Sequence, residues 1–550
     1  MRGPLHVFRT AARYPADRLG WYALDRASRV SARLAPDRAL NRLLARPAGV
    51  EVDGAFLRAW GGHPAARLLA PAWRPKEHGD PRRGTFRLVG LERRFPRTPP
   101  FGSPGIHPLW DEQLAWLEST WALAASCSGP RVRSWLADWL PRVQAATRPG
   151  TVALRPFPTA TRLLHAARTL ALLHAAGHGG DPAAAALRDL LWRDGAWLRW
   201  RVEHHNAANH LLREQIALLV WDRVFGRRRA GRARALARTV ARQFGPCGGH
   251  VEQAAAYQHQ AVRDLLELAV AIPEQRASLA PTIGQAMGLL HWLRVEDGVL
   301  AFGDGDATSE VAPLCSAAEA LQLEPQIPGA LHSPVFGLAG RRVGRSRVLL
   351  RAGVVPSRTC AHVHADQGAM AWVLGGHRVI DGRGTATYSG PLRDATRSAS
   401  WRSTVTVPGR TTAVFAGPFR LAAWGGGQVV AGDTELEATT TDTSGVPLHR
   451  RSVRVEEQGI VVVDQAHGRG TDGATAHFHF PEATVLQIRP RAATLATPAG
   501  AVDLVANAPV VVSDTSWFPR IGVEAPAVSV AIALAAADRS ATTSVRRRIH

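Results

Sequence analysis

The chain has 550 residues, 46% of them hydrophobic and 20% charged, a composition that excludes a disordered or fibrous protein and is too long for one ordinary core, so two or three globular domains are expected. Its formal net charge of +22 comes from 67 basic against 45 acidic residues, with Lys76 the one lysine, an arginine bias that reflects genomic base composition as well as function. The surplus favours a polyanionic partner, whether nucleic acid, an anionic polysaccharide or a membrane face; no basic run with interleaved aromatics and no nucleic-acid motif accompanies it, which makes nucleic acid the weaker alternative.

The N-terminus, M-R-G-P-L-H-V-F-R-T, is basic without a following apolar stretch or small-residue cleavage site. That predicts a cytoplasmic protein unless another export route serves it. No apolar run reaches the roughly 18 residues of a membrane span. Cys127, Cys247, Cys315 and Cys360 are far apart and lack a C-x-x-C pair, so buried free thiols are expected rather than a disulfide framework. Residues 1–104 mix Arg-rich helical pieces with Pro/Gly turns. From His107 to about Arg294, apolar residues recur at three and four, as in T-R-L-L-H-A-A-R-T-L-A-L-L-H, which predicts successive amphipathic helices and a helical domain over 105–325. After about Pro334 the pattern changes to short alternating runs such as G-I-V-V-V-D and A-H-F-H-F, which predicts an antiparallel β-sandwich over 326–550.

Two constellations carry chemistry. In the helical part, N-H-L-L-R-E sets His210, Arg213 and Glu214 on one helical face beside Asn209, and E-Q-A-A-A-Y sets Glu252 and Tyr257 at the start of a later helix. Read singly, Asn209 caps a helix, Glu214 is solvated and Tyr257 is an ordinary half-buried tyrosine. In the sandwich part, H-V-H-A-D supplies His362, His364 and Asp366, followed by Asp381, Tyr388, Arg397 and Arg402. Imidazole, carboxylate, phenol and guanidinium at that density suit acid/base chemistry or a metal site. F-G-D-G-D-A-T, Phe302 to Thr308, reads as a linker with turn chemistry rather than a calcium loop. His477 and His479 on one strand face read as a sheet-packed pair.

Taken in order, H-P-L-W-D-E-Q-L, R-P-F-P-T-A-T-R, N-H-L-L-R-E, E-Q-A-A-A-Y, H-V-H-A-D, V-I-D-G-R-G and R-S-T-V-T-V-P-G resemble the heparinase II/III-like polysaccharide lyases, including alginate-lyase-like members of exopolysaccharide clusters. The resemblance covers about residues 85–420. It implies an incomplete (α/α) toroid followed by an antiparallel β-sandwich, and β-elimination at a uronic acid of a glycosaminoglycan or related polymer. By resemblance, Asn209 and His210 hold the uronate carboxylate with Arg213 adding charge. Tyr257 is the general acid, or base and acid in turn, and His362 is the opposing base or its partner. Glu252 orients, while Tyr388, Arg397 and Arg402 contact substrate. Relatives can bind a structural divalent cation, read as zinc, through residues matching His364, Asp381 and a third His. Arg402 stands at that third position and has no lone pair for a metal, so the metal is expected absent or weak, with Arg402 bridging Asp381 in its place. The alternative is a non-catalytic carbohydrate-binding or exopolysaccharide-biosynthesis accessory protein with the same fold.

Overall fold

The computed structural model describes residues 45–548 apart from 96–98, 100, 103–106, 127–128, 149, 356–360, 433, 469 and 536, together with residues 23, 24, 27, 30, 42 and 44. The N-terminal segment read for export signals therefore lies mostly outside the described residues, as do Cys127 and Cys360. Two compact units form. One comprises Met1–Arg242, Arg263–Ala280 and Pro313–Glu324; the other comprises Gln243–Val262, Pro281–Ala312 and Pro325–His550.

The first unit is mainly helical, as the three-and-four periodicity predicts. A β-hairpin, Thr85–Leu88 with Leu91–Arg94, interrupts the segment before it. Helix Pro156–Ala175 is buried along most of its length, because its apolar residues are not confined to one stripe and neighbouring helices cover it on several sides. Polar groups in this interior are paired, as burial requires. Arg162 makes a two-pronged bond with Asp194, both 2.8 Å, and Arg168 pairs with Glu267.

The second unit is built on antiparallel sheets. A five-stranded meander runs Leu331–Ser333, Leu338–Val343, Ser346–Arg351, Met370–Leu374 and His377–Ile380. An eight-stranded sheet includes Glu435–Thr441, Pro447–Glu456 and Gly459–Ala466, and a four-stranded sheet includes Thr475–Pro481 and Val523–Ala533. Val348 and Trp372 of the first, Leu436 and Val462 of the second and Phe478 and Val530 of the third belong to one buried apolar cluster. Strands with alternating burial, such as Glu435–Thr441, where Leu436, Ala438 and Thr440 are buried, turn alternate side chains into that core. The β-period in the sequence is thus the inner face of packed sheets, and the chain is a helical region followed by an antiparallel sheet domain. No helix among the described residues is long and apolar enough to cross a membrane.

The meander's third and fourth strands are joined by a long connection that holds His362, His364 and Asp366. Arg351 anchors it: its Nε donates to Asp366 at 2.8 Å, and a terminal nitrogen donates to the Gln253 and Phe336 carbonyls, both at 3.1 Å. The turn before helix Ala255–Ala271 is thereby tied to the same connection.

Candidate active site

Within the second unit, the start of helix Ala255–Ala271 places Tyr257 against the 361–366 connection. The Tyr257 and His362 rings stack with centroids 3.7 Å apart and planes 17° apart. The Tyr257 hydroxyl lies 3.1 Å from that of Tyr388. Burial pushes both phenols above their ordinary range, with the neighbouring Asp304 charge adding to the effect. Both therefore rest as neutral donors.

Beneath these rings lies Asp304, 1% exposed. His362 Nδ1 approaches one of its oxygens at 3.0 Å and His364 Nε2 the other at 2.6 Å. The Arg393 guanidinium spans the same two oxygens, one contact measuring 2.6 Å. Burial alone would raise the Asp304 pKa, but Arg393, then His364 and His362, hold it well below the usual carboxylate range. An ionised carboxylate only accepts, so His362 carries its proton on Nδ1 and presents Nε2 as its basic nitrogen. His364, buried next to the Arg402 charge, is kept neutral, its pKa lowered well below the ordinary value. The backbone makes room for Asp304 through two glycines. Gly303 has φ +69 and a Cβ there would stand 2.5 Å from the Ala254 Cβ; at Gly305, φ +117, it would stand 2.4 Å from the Ala256 Cβ.

Asp304 and Arg393 complete this cluster, and neither was singled out from the sequence. Asp304 sits in the segment read as turn chemistry, and its flanking glycines were the available signal. Asp306, two residues on, ties the same segment to a distant one: its Oδ1 accepts the Ile521 N–H at 2.8 Å.

The other candidate residues divide. In the first unit, Asn209 is the first residue of helix Asn209–Val224, with Ala208 at the cap, and is buried; it is not the cap. His210 donates Nδ1 to Glu203 at 2.7 Å and stacks on Phe157 with centroids 4.3 Å apart. Burial alone would raise the Glu203 pKa, but His210, with His205 and Glu214 adding, draws its carboxyl down to about 2. Glu214 is fully buried rather than solvated, and accepts the Glu203 N–H at 2.7 Å. Arg213 is buried and committed to Asp264 through bonds of 3.1 and 2.7 Å and to Thr161 at 3.2 Å, so the expected substrate contact is replaced by an internal ion pair. Glu252, 1% exposed, accepts the Ala361 N–H at 3.3 Å; it supports the His362 connection from within instead of meeting substrate.

Arg397 and Arg402 correct the expectation in the same way. Arg397 is fully buried and donates to the Gly417 and Pro418 carbonyls and to Asp394. Arg402 donates to the carbonyls of Ala301 at 2.9 Å, Gly384 at 3.1 Å and Thr396 at 2.8 Å. It does not bridge Asp381, whose oxygens instead accept the Ala301 and Gly382 N–H groups. Carbonyls are good acceptors for a guanidinium, and burial still draws the Arg402 pKa down to about 10. The donor set therefore does not fit a divalent metal at His364 and Asp381: although His364 Nδ1 has no partner, Asp381 is capped by backbone N–H groups and a cation, Arg402, occupies the third position. Among the described residues, Glu203, His210 and Glu214 do bring ligand atoms within 4.8 Å of one another, but there His210 Nδ1 and the Glu203 N–H already bond to the two carboxylates. Cys247 is exposed and Cys315 half-buried, so the expectation of buried thiols fails for both. His477 and His479 stack within their sheet, as read from the strand pattern.

Residues 328–546 match the family model described as Heparinase II/III-like, C-terminal. The match spans the sheet domain, less than half of the chain. Solved structures extend the likeness along the chain. A heparinase III superposes with a TM-score of 0.63 at 13% identity, covering 96% of this chain and 89% of that one. A second heparinase III gives 0.58 at 14% identity over 82% and 80%. The heparan sulfate lyase HepC from Pedobacter heparinus gives 0.51 at 15% identity over 96% and 88%. These identities establish a shared fold, the heparinase-like arrangement of a helical region and a sheet domain. No curated protein matches the sequence.

Proposed function

We propose that this protein is a polysaccharide lyase that cleaves a uronate-containing polysaccharide by β-elimination, leaving a 4,5-unsaturated uronate end. The observation that carries the reading is the Tyr257–His362–Tyr388 cluster seated on ionised Asp304. Elimination requires removal of the C5 proton, formation of the C4=C5 bond and departure of O4 with a proton. His362 Nε2 takes the C5 proton, and the imidazolium that forms is stabilised through Nδ1 by Asp304. Tyr257, protonated at rest, gives its proton to O4 as the C4–O4 bond breaks. The phenolate left behind accepts a hydrogen bond from Tyr388, and proton return from imidazolium to phenolate restores the starting state. Neutralisation of the uronate carboxylate acidifies C5–H. The structurally similar heparinase III and heparan sulfate lyase make sulfated glycosaminoglycans the first polymers to test.

Elimination breaks the C4–O4 bond without water. In H2(18)O, mass spectrometry of the products is therefore expected to show no solvent oxygen and an unsaturated end. Incorporation of (18)O would identify a hydrolase and refute the assignment. Binding of glycan with no cleavage would leave the accessory-protein alternative standing.

A further inference from the structure

The hairpin Ala413–Gly417 with Arg420–Trp424 is held from below in an unusual way. Arg393 donates Nε and Nη2 to the Pro418 carbonyl at 3.2 and 3.0 Å, and Arg397 donates to the Gly417 and Pro418 carbonyls at 2.9 and 3.1 Å. Both side chains are essentially buried. Burying guanidinium groups is unfavourable unless their donors are satisfied, and here two of them fix the same turn. Arg393 is also the partner of Asp304, so one side chain joins the hairpin tip to the carboxylate under His362.

What the tip carries is Phe419, 44% exposed, between exposed Pro418 and Arg420. Its ring stands edge to face with Tyr388, centroids 5.3 Å apart, and with His362 at 5.9 Å, with the Arg393 guanidinium 5.6 Å from its centroid. An aromatic ring left half in water, on a turn fixed by buried cations and next to the acid/base groups, matches how sites present apolar rings to ligands.

Resting on the lyase reading, we propose that Phe419 is a sugar-stacking platform: a pyranose ring of the anionic polymer lays its apolar C–H face on Phe419, while Arg420 meets the carboxylate or sulfate of that sugar. The platform fixes the register of the chain relative to His362 and Tyr257. It acts in binding rather than in bond breaking.

The test uses heparan sulfate, chondroitin and polymannuronate tetrasaccharides, titrated calorimetrically into Tyr257→Phe and into Tyr257→Phe/Phe419→Ala. Against the tetrasaccharide that binds, loss of Phe419 is expected to raise Kd about three- to tenfold, as removal of one aromatic contact does. Phe419→Trp restores affinity, and Val414→Ala, an exposed apolar change on the same hairpin, leaves it unchanged. In the active protein, Phe419→Ala raises KM by the same factor with kcat within about twofold of wild type. Equal Kd with and without Phe419, or no binding of any tetrasaccharide to the parent, would overturn the platform. Binding that depends on Phe419 in a protein that forms no unsaturated product would sink the lyase reading and leave the platform standing.

Discussion

Asp304 shows how one buried residue sets the chemistry of its neighbours. Three cationic or proton-donating side chains converge on its two oxygens, and the charge fixes the tautomer of His362. Asp304→Asn keeps an oxygen for one donor and turns an N–H towards another, so the His362 orientation and the stabilised imidazolium are both lost. The expected result is a fall in kcat of about a hundredfold or more, with KM changed little. Steady-state kinetics check it, and a variant of near-normal kcat would contradict the role. Arg213 makes the opposite point. Sequence placed it on substrate, whereas its donors are used on Asp264. Arg213→Ala leaves Asp264 buried without its cation and is expected to destabilise the fold by about 3–5 kcal/mol, read from the urea midpoint. A loss of activity at unchanged stability would instead return Arg213 to the substrate. The difference was not visible in the sequence, because Asp264 lies on another helix and spacing along one helix cannot show it. His362 and Tyr257 came forward as candidates because they stand in the motifs H-V-H-A-D and E-Q-A-A-A-Y. Asp304 did not, because a D-G-D turn has the same local pattern whether its carboxylate faces water or three buried donors.

At the scale of elements, the 302–306 turn, the start of helix Ala255–Ala271 and the 361–366 connection are joined by short backbone bonds. The Ala255 N–H reaches the Phe302 carbonyl at 2.8 Å, and the Asp304 N–H reaches that of His362 at 2.9 Å. Gly303 is the position that permits this. Gly303→Ala meets the Ala254 Cβ at 2.5 Å and the His362 carbonyl at 2.8 Å, in a left-handed conformation. The backbone conformation alone costs about 1–2 kcal/mol, and displacement of Asp304 adds a loss of kcat. Thermal unfolding and turnover measured together should both fall; an alanine variant with wild-type values of each would show that the turn is not constrained as described. The helix period and the switch to a period of two were legible throughout, because burial of one face imposes them. The hairpin Ala413–Gly417/Arg420–Trp424 was hidden, since its register shifts at two places and its anchors are arginines from another segment.

Across the whole molecule, the arginine excess is only partly a surface charge. Arg162, Arg351, Arg393, Arg397, Arg402 and Arg451 are among the largest fully buried side chains, and Arg162, Arg351, Arg393 and Arg451 are paired there with buried Asp194, Asp366, Asp304 and Asp464. Histidines are buried too, and burial lowers their pKa values: His250 and His479 to about 3 and His477 to about 4. Below pH ~6.5 the unfolded chain takes up protons at these sites while the native state does not, so stability falls with falling pH by up to about 1.4 kcal/mol per pH unit for each group. The loss runs from pH ~6.5 down to the folded values. A second loss follows below pH ~4, where Asp304 and Glu203, held low in the native state, become protonated in the unfolded chain first. Melting temperatures from pH 8 to pH 4 are expected to decline steadily below pH ~6.5, and a flat profile over that range would contradict the neutral buried state of these histidines.

Elimination at a uronate is the chemistry proposed for Tyr257 and His362. The most direct measurement is the ultraviolet absorbance of the conjugated C4=C5 uronate during incubation with heparan sulfate, chondroitin and alginate, for wild type and Tyr257→Phe in parallel. A rise is expected with at least one polymer, and its loss in Tyr257→Phe, whose ring still stacks on His362 but has no proton to give. A rise that persists unchanged in Tyr257→Phe, or none with any uronate polymer, would contradict that chemistry.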